Sequence, residues 1–500
     1  MSASRERKKR TEQVAQPAKE KKSKKLSQGW IFAICMIAIV VILVGALIGY
    51  TVYKNNRAVL TVGDHTVTVP EFNFFYNTKT NSCKAYASYL GIDPNTPLDE
   101  QYVTESGAGM LMVIGLDSDY LADKTATDGT YNVTWAQLFA AAAKKDATSA
   151  YAVYNEAMAN GYQLTEHDKE DIDSNIEQME AYAESNGMSL NRFIENVYGK
   201  GCSESSYRNY LEVQVVASGY ASTLTYSAEE LAAKKAETPE TYEIATYYQF
   251  VVSASDFVVA DEDGQKAEPT DAEVEQAKAA AEAMEDKFDT ENSSVTLKAD
   301  AGRATVTATS TEEAANWLFD TADSGASKLF EKENTYYVLK LVDKNDYKTG
   351  NYLQIVIPDD VEGVETEDQM TAAEKIEAIK AALDADATEE NFKALAEEYS
   401  ASHESEAKNL SRSSLASVSN EAVLWSMEAR TAGDYKIFEL DGNTVILFYV
   451  SEGETYTDVV ATAALANAHI EEIGAAAEEA CNYDEKAAMA ANVGIVFGSN

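Results

Sequence analysis

The chain has 500 residues, 45% of them hydrophobic and 10% aromatic, and a formal net charge of −42. Such a composition builds packed cores rather than a disordered acidic tail, and the negative charge argues against nucleic acid as a partner, because phosphates would be repelled. Four cysteines without paired spacing support neither a disulfide framework nor a zinc site.

Residues 1–28 carry ten Lys+Arg against Glu6, Glu12 and Glu20, and read as a disordered basic tail. From Ile31 to Gly49 nineteen residues run without a charge, flanked by Trp30, Tyr50 and Tyr53. That length suffices for a helix through a bilayer core, and aromatic rings favour its boundaries. The expectation is a single-pass anchor over 29–53, with the basic tail cytoplasmic and the bulk of the chain outside the cell membrane. A cleaved signal peptide is the alternative, but its candidate small-residue site, Val44-Gly45-Ala46, lies inside the apolar run.

After the span, Ala58 to Val69 reads as a hairpin about Gly63-Asp64, and Pro70 with Glu71 opens an aromatic helix reaching about Tyr89. His65 reads as a surface residue. An irregular insertion covers 91–133, and a long helix follows from about Trp135 to Asn160. Thr165 to Asp168 resembles a capped helix start, with Ile172, Ile176, Met179 and Ala183 on one stripe. Further helices are predicted over Leu190–Tyr198, from about Glu204 to Thr223, and after the capping box Ser227 to Glu230.

An internal repeat follows. Trp317, Gly325, Lys328 and Phe330 recur 108 residues later as Trp425, Gly433, Lys436 and Phe438, and Tyr247 and Gln249 recur 105 residues later as Tyr352 and Gln354. Each copy reads strand, alanine-rich helix, short helix ending near Trp, then two closing strands. An antiparallel sheet with helices packed on it is the expected fold of each. Asp261 to Gly264 begins like a calcium loop but lacks its later ligands. The tail reads as a helix from Ala461 to Cys481 and a short apolar strand from Ala490 to Phe497, of which Gly494 to Phe497 is expected to pair with the Ala58–Val69 hairpin.

VGDHTVTVPEFNFFY, ANGYQLTEHDKEDIDSNIEQME, MSLNRFIENVYG and YRNYLEVQVVASGYASTLTYSAEEL, in that order, resemble the N-terminal chaperone domain of the PrsA/SurA-type extracytoplasmic foldases. NFKALAEEYS and GDYKIFELDGNTVILFYV in the second repeat resemble the parvulin type of peptidyl-prolyl isomerase domain that those foldases carry. The resemblance implies an α+β chain: a transmembrane helix, a helical SurA-like chaperone domain (56–236), parvulin-like domains (241–346 and 347–452), and a C-terminal helix and strand (453–500) completing the chaperone domain. It places the first parvulin histidine on Gln249 and Gln354, the second on Tyr337 and Val445, and the Cys/Asp position near Ser402. All are substituted, so efficient catalysis is not expected; His403 reads as a loop residue.

The function implied is a membrane-anchored chaperone that binds unfolded exported polypeptides, with no cofactor and no metal. Candidate client-binding residues are Phe72, Phe75, Tyr76, Met179, Tyr207, Tyr210 and Trp425. Two other readings stay open: an active prolyl isomerase with a pocket around Gln354, Ser402 and Trp425, and a structural envelope scaffold.

Overall fold

The computed structural model describes residues 57–497 apart from 125, 128, 262–263, 361–369 and 401–405. These form two compact units. One takes the described residues up to Ser218 together with those from Ile473, and the other runs Gly219–Glu472.

The first unit opens with β1 (Ala58–Val62) and β2 (His65–Thr68), turning at Gly63, whose φ of +59 suits glycine. Thr68 then caps α1 (Val69–Lys84): the Glu71 carboxylate accepts from the Thr68 amide and hydroxyl, both at 2.7 Å, while Pro70 occupies the first turn. Buried residues surround α1 on nearly every side, as in a helix enclosed by its domain. The insertion carries β3 (Tyr102–Thr104), β4 (Ala126–Thr127) and β5 (Thr130–Thr134), in the order β3-β5-β4. Helix α2 (Trp135–Ala159), capped by Thr134 and Gln137, buries Trp135, Phe139 and an alanine stripe in the main core. Helices α3 (Glu166–Ser185), α4 (Leu190–Tyr198) and α5 (Glu204–Tyr220) follow, and a smaller cluster holds Phe74, Ile172, Ile176, Leu190, Ile194 and Tyr207.

The second unit begins with α6 (Ala228–Glu237) and holds both repeats. The first comprises β6 (Ile244–Ser253), α7 (Asp271–Asp286), β7 (Val295–Gly302), α8 (Arg303–Thr309), α9 (Glu312–Asn316), β8 (Ser327–Lys332) and β9 (Thr335–Asp343). The second comprises β10 (Lys348–Pro358), α10 (Ala372–Ala385), α11 (Glu389–Tyr399), β11 (Glu406–Leu410), α12 (Arg412–Ala416), α13 (Asn420–Ser426), β12 (Tyr435–Leu440) and β13 (Asn443–Thr455). The sheet orders correspond, β7-β6-β9-β8 and β11-β10-β13-β12, every pairing antiparallel.

The repeat extends to individual bonds. The Thr311 and Ser419 hydroxyls cap the closing helices by accepting from the amides of Ala314 and Ala422, at 2.9 and 3.0 Å. Lys328 pairs with Glu313 at 3.5 Å and Lys436 with Glu421 at 2.7 Å. The Trp317 and Phe330 rings lie 5.6 Å apart, and those of Trp425 and Phe438 6.0 Å. The amides of Gly325 and Gly433 donate to the carbonyls of Leu341 and Tyr449.

Both glycines have positive φ, but a Cβ on Gly433 would sit 2.8 Å from the Ala387 carbonyl oxygen, whereas one on Gly325 would meet open space. Gly433→Ala is therefore expected to cost about 3 kcal/mol and Gly325→Ala about 1 kcal/mol in urea unfolding. Equal costs would refute the packing argument.

After the repeats, α14 (Tyr456–Ala480) leads to β14 (Asn482–Tyr483) and α15 (Glu485–Ala491). The expected architecture is corrected here on three counts. Among the described residues no helix is long and apolar enough to cross a membrane, and the stretch expected to do so, 29–53, lies outside them. The first unit is not purely helical but carries two three-stranded sheets, within a mixed helix-and-sheet chain of several small sheets. The closing strand is also different: β14 pairs with β1, Leu60 opposite Tyr483 and Thr61 opposite Asn482, while 490–497 forms no strand. The cause is local, since Asp484 accepts from the Ala487 amide and starts a helix in the alanine-rich run, leaving the strand to the two residues before it. Phe497 nevertheless returns to the main core against Phe139, and the Ile495 carbonyl accepts from the Leu98 amide.

Candidate functional site

The residues at the expected isomerase positions lie on corresponding sheet faces. Gln249 stands opposite Leu339, and Tyr337 opposite Val251, so all four share a face of the first sheet. Gln354 stands opposite Leu447, and Val445 opposite Val356, on the equivalent face of the second. The register thus brings each expected pair to diagonal neighbours on central strands. Ser402 and His403 lie outside the described residues.

In both repeats helices cover much of that face, although Val251, opposite Tyr337, stays 41% exposed. In the first, Val306 of α8, Ala314 and Ala315 of α9, and Leu318 cover it, with Trp317 packed at the edge. Gln249 is buried, and its Nε2 donates to the Thr309 carbonyl at 3.1 Å. In the second, Leu415 of α12 and Ala422, Val423 and Trp425 of α13 lie on Tyr352, Val445, Leu447 and Tyr449. Gln354, only half-buried, completes the row. The opposite faces are covered by α7 in the first repeat and by α10 and α11 in the second. The candidate Trp425 is itself buried in this covering layer.

The helical client-binding candidates are also core residues. Phe72, Phe75, Tyr76 and Tyr207 are buried, and Met179 and Tyr210 are partly buried against the same clusters. A Met and aromatic stripe at helical spacing has the same sequence signature whether it faces a groove or a core, and as folded it faces the core. His65, read as a plain surface residue, is partly enclosed: its ring stacks 4.2 Å from that of Tyr151, and its Nε2 lies 3.7 Å from Glu71.

The first unit has an open cleft elsewhere, with a volume of about 440 Å³. Leu116, Val133 and Ala140 give it an apolar floor, and Tyr120 and Tyr483 supply aromatic walls. Three lysines line it. Lys124 lies 5.1 Å over the Tyr120 ring, Lys144 lies 5.8 Å over that of Tyr483 and 3.3 Å from Glu478, and Lys145 pairs with Asp117 at 3.1 Å. Burial pushes the Tyr483 hydroxyl well above its ordinary pKa, so it stays protonated at neutral pH. The lining comes from the irregular insertion, α2 and the chain's return, so no periodic pattern announces it. The available signal was a cluster of lysines in an acid-rich chain.

Among the described residues no group of His, Cys, Asp and Glu could hold a metal ion, and Cys83, Cys202 and Cys481 are free thiols. No family model matches the chain, and no curated protein matches it.

Proposed function

We propose that the protein is a polypeptide-binding chaperone working outside a cell membrane, tethered through 29–53, whose repeats bind or space clients without catalysing prolyl isomerisation. The observation that carries this reading is that helices pack over the same sheet face in both repeats, burying Gln249 in the first and Val445 and Leu447 in the second. The barrier to be lowered is about 18–20 kcal/mol, and a catalyst would need an open face on which to hold a twisted peptide. Here helices cover much of that face, and Gln249, Gln354 and Val445 supply no group that titrates near neutral pH. The cleft of the first unit supports the binding half of the proposal, since about 440 Å³ falls within the usual range for ligand sites and it combines apolar floor, aromatic walls and cations. The uncharged run 31–49 behind a basic tail supports the tether.

The test uses the purified full-length chain against two substrates. It is expected to suppress aggregation of a chemically unfolded protein at near-stoichiometric amounts, and to leave the rate of a proline-limited refolding reaction unchanged. Accelerated refolding would restore the isomerase reading. Loss of both effects, with one stoichiometric partner recovered by crosslinking, would favour a scaffold.

A further inference from the structure

The two repeats diverge where the closing helix ends. In the first, Leu318, Ala322 and Leu341 lie together in the core, 0%, 3% and 1% exposed. The residues 108 positions later are Ser426, Arg430 and Tyr449, and there the second repeat has a cavity of about 190 Å³, lined also by Tyr352 and Lys348. A leucine in one copy and a serine in the other thus separate a filled core from a cavity. The cavity's size falls below the roughly 300–1,000 Å³ of ordinary small-molecule pockets and suits one side chain or chain terminus.

Arg430 gives the cavity its charge. Its side chain is 13% exposed, and its guanidinium lies 4.3 Å over the Trp425 ring. Nε and Nη2 both donate to the Trp425 carbonyl, at 3.0 and 2.6 Å, and Nη2 also donates to Glu428 at 2.8 Å. Among the described residues no bond uses Nη1. The other charged residues of the lining are outward: Glu428 is 71% exposed, and Lys348 and Glu452 are exposed at the rim. The interior therefore presents a guanidinium held in place by ring and carbonyl, ion-paired through Nη2 with the exposed Glu428 and with Nη1 to spare. Gly350 allows the tyrosine wall, because a Cβ there would meet the Tyr352 ring at 2.3 Å.

We propose that this cavity takes one carboxylate of a bound polypeptide, either an Asp or Glu side chain or a C-terminal carboxylate. Arg430 Nη1 donates to it, and Tyr352 and Tyr449 wall its methylenes. A charged acceptor is favoured over a neutral amide because charge-assisted bonds to guanidinium are the stronger ones. This assignment rests on the polypeptide-binding reading above and names the chemistry selected.

The experiment measures fluorescence anisotropy of three labelled hexapeptides with the full-length chain: one with an internal Glu and an amidated C-terminus, one with Gln there and an amidated C-terminus, and one with Gln and a free C-terminus. At least one carboxylate peptide is expected to bind ten-fold or more tightly than the Gln amide, and which one does identifies the source. Ser426→Leu, which installs the side chain of the sister repeat, and Arg430→Gln are each expected to abolish the difference. Should Arg430→Gln fail to fold, as judged by thermal melting, Ser426→Leu still decides. Equal binding of the three peptides, or discrimination that survives Ser426→Leu, overturns the pocket. Aggregation suppression without discrimination overturns the pocket alone, whereas discrimination by a chain that suppresses no aggregation upholds it and overturns the chaperone reading.

Discussion

Arg412→Ala is expected to lower the unfolding free energy of the repeat-bearing unit by about 3 kcal/mol, because it removes a buried guanidinium and leaves the partly buried Asp343 without its partner. Arg412 is 8% exposed on its side chain, its Nη1 lies 2.9 Å from Asp343, and its guanidinium covers the Tyr347 ring at 3.8 Å. Tyr347 donates its hydroxyl to Asp300 at 2.9 Å and stacks on Tyr456, while the Arg412 and Ser413 amides donate to the Tyr347 hydroxyl and the Asp300 carboxylate. Asp300 and Asp343 belong to the first repeat and Arg412 to the second, so the network pins one to the other. Arg412→Lys is expected to recover only part of the loss, since lysine restores charge but not the planar stack.

The two carboxylates give opposite pH dependences. Burial raises the pKa of Asp343, but bonds from Arg412 and the Asn345 amide outweigh it and hold the group below its ordinary range. Its contribution is present at neutral pH and is lost as pH falls through the lowered value. Burial dominates at Asp300 and raises its pKa despite the bonds from Ser413 and Tyr347, and among the described residues Oδ1 has no partner. Ionised Asp300 therefore costs stability at neutral pH, a cost relieved as pH falls through the raised value. Asp300→Asn, which suits a φ of +49, is expected to hold or raise stability at pH 7. Urea unfolding at several pH values should then lose the compensating rise toward acid; an unchanged profile would remove Asp300 from the account.

Deleting 482–500 is expected to have the larger effect on the other unit, more than about 5 kcal/mol, comparable with the whole stability of many domains. Ala487, Ala488 and Phe497 belong to the main core and Tyr483 packs against it, and Asp484 pairs with Arg57 at 2.6 Å. Limited proteolysis read by mass spectrometry is the check. Rapid cleavage within 57–218 with 219–472 protected is expected, and equal protection of both would contradict the structure.

The sequence was most legible where local chemistry decides. Thr165 with Asp168, and Ser227 with Glu230, mark helix starts because each pair satisfies free amides within four residues, and Pro70 with Glu71 marks another because proline and acid suit a first turn. The repeat was legible because Trp, Gly, Lys and Phe at fixed spacing serve the same contacts twice. Sidedness was not: Phe72 and Tyr76 carry the same periodicity whether they face a client or a core. The tail strand was misplaced because Gly494 to Phe497 has strand-like composition, whereas the pairing of Asn482 and Tyr483 depends on a partner more than 400 residues away. The cavity at Arg430 became readable only by comparing the repeats, since Ser426 and Arg430 are unremarkable until set against Leu318 and Ala322.

The return of the C-terminal segment also orders events in time. A ribosome finishes every residue from 244 to 455, both repeats entire, before it reaches Asn482, so β1 waits through that interval with β2 on one side and nothing yet made for the other. The first unit therefore matures last although it is made first, and any chain interrupted before Phe497 leaves its core unfinished. Translation errors late in the message would be reported at the opposite end of the protein, as an exposed strand edge available to quality-control proteases.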